Sequence, residues 1–183
     1  MKYPFVLLVL MSLFSCTDFK KGEQILAIEE MNKSLDSIQT ILSENNYSSI
    51  SSFAERANTA DARIKMNYES DTLELNFAKK LDAFNMMRKS FSILNLGFLQ
   101  LSNDIESEKM TLKKLKLDIE NGNGERDKYA NYITYEKSNV MKINNSLLEY
   151  ISLKEKTLKT FNDIQDEINT FSLSLLNKKK RVQ

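Results

Sequence analysis

Residues 77–119 read FAKKLDA FNMMRKS FSILNLG FLQLSND IESEKMT LKKLKLD I, and that spacing decides the fold. Phe77, Phe84, Phe91, Phe98, Ile105, Leu112 and Ile119 each open a seven-residue step. Leu73 precedes them and Met87, Leu94, Leu101 and Leu115 fall between them, with Lys80 and Glu108 as the exceptions. Apolar residues three and four apart mark one face of a helix, and a seven-residue repeat sustained this long winds that helix around its neighbours. Four phenylalanines in one seam are wide for a two-stranded coil. They suit a core shared by three or four helices.

The pattern stops at Asn121-Gly122-Asn123-Gly124, where Gly122 can take the left-handed C-cap and Asn123 can cap the next start. It resumes at Ile133, Val140, Leu147, Lys154, Phe161, Ile168 and Leu175. Tyr129, Ile143, Tyr150, Ile164 and Phe171 are the companions here, and Glu136 and Thr157 the breaks. Short connections of this kind join antiparallel neighbours. Folding the two segments back at Gly122 pairs Leu112 with Ile133, Phe98 with Leu147, Phe84 with Phe161 and Phe77 with Ile168. The same register sets Lys154 opposite Phe91 and puts Glu108 and Glu136 in one layer. Each arm of this hairpin would run about 75 Å at ~1.5 Å per residue.

Upstream, Ile28, Met31, Leu35, Ile38 and Leu42 form a further stripe. It loses phase at Asn45-Asn46-Tyr47-Ser48-Ser49, residues that favour caps and turns, and resumes at Ile50, Phe53, Ala57, Ala60 and Ile64. Ser52 with Glu55 fits a capping box that restarts the helix, and Asp71 with Glu74 fits a second helix start. If residues 45–49 only bend the chain, three long segments make an elongated antiparallel all-α bundle. If they reverse it, two short and two long helices make a four-helix up-down bundle. The near-equal lengths of 19–68 and 72–121 favour three segments.

Composition agrees on the class. The only proline is Pro4, and the glycines are Gly22, Gly97, Gly122 and Gly124, too few turn residues for a sheet protein of this size. There is no histidine and one cysteine, so Ser-His-Asp and Cys-His catalysis lack their base and histidine- or thiolate-bound zinc lacks its ligands. Carboxylate-histidine di-iron sites of helical bundles lose half their ligands as well. An enzyme is the disfavoured class, and no cofactor or small-molecule substrate is implied.

The lone cysteine, Cys16, closes a leader. Met1-Lys2 gives a positive start, Tyr3 to Phe14 is almost wholly apolar, and small Ser15 precedes the thiol. The apolar run falls short of the roughly 20 residues that span a bilayer. Leu13-Phe14-Ser15-Cys16 resembles the lipobox of bacterial lipoproteins. The resemblance covers residues 1–16 and implies that residues 1–15 are a cleaved signal peptide and that Cys16 is the acylated first residue of the mature chain. It further implies anchoring to a membrane of the bacterial cell envelope. On this reading residues 16–23 are a lipidated tether and 24–183 the helical bundle. Removing 1–15 takes Lys2 away and leaves 25 basic against 25 acidic residues, a balance that argues against a nucleic-acid partner.

Three groups of residues invite a functional reading. Glu108 and Glu136 share a layer, either as carboxylates toward a metal or, as favoured here, as a partly open layer neutralised by Lys109 and Lys137. Two acids without a third ligand are too few for a metal site. Tyr129, Tyr132 and Tyr135 crowd the Gly122 turn, as a bundle plug or as a protein-binding patch. Lys178, Lys179, Lys180 and Arg181 form a basic tail that complements a helix C-terminus or meets anionic headgroups. The expectation is a lipid-anchored, non-enzymatic spacer, scaffold or protein-binding subunit. A surface-displayed adhesin and an accessory protein for lipid or apolar ligands are the alternatives.

Overall fold

Long runs without proline and with few glycines leave the backbone one economical way to satisfy its N–H and C=O groups, and the chain takes it. The computed structural model describes residues 4–69 and 74–182, with side chains described for 20–69 and 74–178. Four α-helices follow in order: α1 (Pro4–Glu44), α2 (Ser51–Asn67), α3 (Leu75–Asn121) and α4 (Tyr129–Val182). Short 3-10 turns at Tyr47–Ile50 and Arg126–Lys128 precede α2 and α4. Among the described residues there is no strand, and the protein is an all-α helical bundle. Leu73 and the Asp71 cap lie outside the described residues.

Contacts divide the chain into two units. Unit 1 combines the chain up to Ile41 with Leu101–Ser146. Here α1 runs antiparallel to α3, since Glu29 pairs with Lys116 at 2.8 Å and Asp36 with Lys109 at 2.6 Å. The α4 helix also opposes α3, with Tyr129 bonded to Asp118 at its start. Ile28, Leu35, Ile105 and Leu112 lie at the centre of this three-helix core.

Unit 2 combines Leu42–Gln100 with Leu147–Gln183. The α3 ring of Phe77 meets Phe171 at 4.5 Å and Phe98 meets Tyr150 at 6.5 Å, so α3 and α4 are antiparallel here too. Phe53 meets Phe161, and Arg63 Nη1 donates to Asn169 Oδ1 at 3.0 Å, so α2 runs parallel to α4. Ala57 and Ala60 are fully buried, the small side chains that let α2 approach closely. The first segment therefore keeps one direction against α4 in both units. The described residues form three long helical segments, as the near-equal segment lengths predict, with a 3-10 turn at Tyr47–Ile50 inside the first.

Two details of register differ from expectation. Phe77 and Phe98 stack on Phe171 and Tyr150, each three residues further along α4 than the expected Ile168 and Leu147. Phe91 packs on Phe161 at 6.3 Å, one heptad beyond the Lys154 of the expected register. Knobs of one seam enter holes made by both seam positions of the neighbour, so like need not face like.

The bend is built from side chains that compete with the helix ladder. Asn46 Oδ1 accepts the Ser49 N–H at 3.0 Å and the Ser48 hydroxyl at 2.6 Å, capping the 3-10 turn. Ser52 and Glu55 lie inside α2 with no side-chain cap at its start, so the cap is Asn46 and the expected capping box does not form. From α4, Tyr150 donates to the Asn45 carbonyl at 2.8 Å, and Lys154 Nζ reaches Asn45 Oδ1 at 3.4 Å and Ser49 at 3.5 Å. A lysine in an apolar seam thus buries its stem and caps the bend, and burial pushes its amine below the ordinary range. Tyr150→Phe removes that hydrogen bond and should lower stability by about 1 kcal/mol in chemical denaturation. No loss would show that the bend needs no support from α4.

The α3–α4 turn follows expectation at Gly122. With φ at +64°, it lets the Asn123 N–H reach the Asp118 carbonyl at 2.8 Å and its own N–H reach Ile119 at 3.2 Å. That double closure is a Schellman motif. Asn123 does not cap the next helix: its N–H closes this motif and its carbonyl accepts from Tyr129.

Candidate functional site

The feature most at odds with a plain core is the carboxyl pair of unit 1. Glu108 on α3 and Glu136 on α4 occupy seam positions and are 8% and 9% exposed. Asn139 Nδ2 donates to Glu136 Oε2 at 2.9 Å, while Glu108 Oε1 is buried with no hydrogen-bond partner. The expected neutralisation by Lys109 and Lys137 does not occur. Lys109 reaches across to α1, at 2.6 Å from Asp36 and 2.5 Å from Gln39, and Lys137 is exposed. The layer is closed. Burial first, and the Glu136 charge second, push the Glu108 carboxyl up to about 7.

The tyrosines separate. Tyr129 is buried, and its hydroxyl donates to the Asp118 carbonyl at 2.9 Å and is also bonded to the Asn123 carbonyl, so it plugs the turn. Tyr132 and Tyr135 face outward. In the basic tail Lys178 is exposed, while the side chains of Lys179, Lys180 and Arg181 lie outside the described residues, as does that of Cys16.

One surface was passed over in the sequence. Residues 90–103 carry no charged side chain, and from them Ile93 (57% exposed) and Leu96 (67%) project outward on α3, with Met86 one heptad before Ile93. The signal was the uncharged run itself, masked by the heptad that shares it. A shallow groove in unit 1 lies between α1 and α4, lined by Ile38, Ile41, Val140 and Met141 with Ser34 and Asn144 at its rim.

Among the described residues no group of three or more acidic or thiol side chains is placed to hold a metal ion, and no helix is long and apolar enough to cross a membrane. Comparison with known proteins gives no match to a family model, to a curated protein or to a solved structure.

Proposed function

We propose that the protein is a lipid-anchored lipoprotein of the bacterial cell envelope whose helical bundle acts without chemistry of its own, as a spacer, scaffold or protein-binding subunit. The observation that carries the anchoring is Cys16, the single cysteine, closing an apolar leader in Leu13-Phe14-Ser15-Cys16. A thiol-linked diacylglycerol with an N-acyl chain supplies the two or more chains that stable anchoring takes. The outward apolar face of α3 in unit 2 supports a binding role, because apolar side chains left in water mark contact surfaces.

Cys16→Ser should move the protein from the detergent phase to the aqueous phase and abolish palmitate labelling. Unchanged membrane partition would mean that the leader itself is retained in the membrane, and the anchor reading would fail. Crosslinking in intact envelopes then addresses the partner. The expected result is a captured protein that is lost when Leu96→Glu places a charge on the α3 face, while Cys16→Ser tests the anchor separately.

A further inference from the structure

Two acidic side chains in one closed layer, with no cation against them, are held together by something other than charge. All three helices of unit 1 pass this layer. On α3, Lys109 is turned to Asp36, Asp104 is half-buried one turn before Glu108, and Glu106 and Lys113 are exposed. On α4, Lys137 and Lys142 are exposed, the latter 3.5 Å from Asn139 Oδ1. On α1, the turn fixed by the Lys109–Asp36 contact buries Leu35 and Ile38, and its charged residues Lys33 and Asp36 are exposed. Among the described residues no ion pair reaches Glu108 or Glu136.

Two carboxylates that close repel strongly away from water, so both cannot be ionised while the layer stays shut. One proton between them removes the repulsion and turns a charge into a donor. The second acid then accepts, with Asn139 holding its other oxygen in place. Glu108 Oε1, buried and without a partner, is the atom left in deficit, and water entering the layer would satisfy it.

We propose that Glu108 and Glu136 form a proton-gated latch in unit 1: sharing one proton they close the layer, and losing it they part α3 from α4 and admit water. Desolvation and the neighbouring acid place this loss near neutral pH, about 7 for Glu108. Val140 of the α1–α4 groove lies one turn beyond Glu136, so an opened latch adjoins that apolar surface. The latch belongs to the bundle and does not depend on the lipid anchor.

The test is amide hydrogen exchange on the full-length protein in detergent, corrected for intrinsic rates, at pH 6 and pH 8. Peptides from 101–121 and 129–146 should show opening equilibria about tenfold larger at pH 8, following the fraction of latch that has lost its proton. Peptides from 75–100 serve as the internal reference and should not respond. Glu108→Gln combined with Glu136→Gln should stay closed at both pH values, and Glu136→Gln alone should move the response to lower pH by removing the like charge. Equal protection at both pH values in the native chain would overturn the latch, as would an undiminished response in the Gln variants. A response abolished by a chelator at fixed pH would also overturn it, in favour of a bound cation.

Discussion

Phe161→Ala should cost the chain about 3–5 kcal/mol, at the upper end of what truncating one buried aromatic removes. Phe161 sits where α2, α3 and α4 of unit 2 meet and is 2% exposed. Its ring stands edge-on to Phe53 at 4.9 Å and to Phe91 at 6.3 Å. The Arg56 guanidinium covers it at 5.1 Å from the ring centre. Truncation therefore removes two edge-to-face contacts, each about 0.5–1.5 kcal/mol beyond area, and leaves a cavity between helices too regular to collapse into it. The neighbouring Phe91→Ala should fall in the same range, because Phe91 is 2% exposed and packs on Phe161. Urea titration of the intact protein with an unchanged m-value is the measurement. A loss under about 1 kcal/mol would place the heptad seam outside the core, and Met110→Ala, on an exposed site, is the control expected within ~0.5 kcal/mol.

That the seam could be read at all follows from its redundancy. Every apolar position from Phe84 to Ile119 repeats the same constraint, so a local exception such as Glu108 does not erase the period. The bend at Asn45-Asn46 was visible as a loss of phase, with Leu42 and Ile50 both buried on either side of it. Its direction was not visible, because a run of cap-forming residues ends a helix without saying where the next one goes. Contacts there come from Tyr150 and Lys154, more than a hundred residues away, whose polar ends reach Asn45. Lys154, a polar member of the second heptad, sends its amine to Asn45 and Ser49 at the bend.

The carboxyl layer shows the same limit from the other side. Sequence spacing brought Glu108 and Glu136 together, but it also supplied an adjacent lysine for each, and proximity along the chain suggested neutralisation. Neighbours along a helix point about 100° apart, so Lys109 was free to serve Asp36 on α1 while Glu108 turned inward. Gln165 and Ser172, buried in α4, were missed for a related reason: each falls between seam positions whose apolar residues dominate the reading.

The chain should become less stable as pH rises from about 4.5 to about 7, the reverse of ordinary acid denaturation. The Glu108 carboxyl holds its proton up to about 7 when folded, against 4.5 for an unperturbed Glu. Between those values the folded state binds more protons than the unfolded chain, so each step up in pH favours unfolding, and the loss is complete above the upper value. The gap corresponds to about 3 kcal/mol at ~1.4 kcal/mol per tenfold. Glu29 acts oppositely. Its hydrogen bond to Lys116 holds its carboxyl low, so its contribution is lost only as pH falls below the ordinary carboxylate range. Lys154, lowered by burial from 10.5, and Tyr150, raised by burial, belong to the alkaline side. The interval from pH 5 to pH 8 therefore reports mainly on the carboxyl pair. Urea midpoints should fall across it in the native chain and stay level in Glu108→Gln with Glu136→Gln. A midpoint that rises with pH would mean that the two carboxylates are already ionised and separated, with α3 and α4 held together by the remaining seam alone.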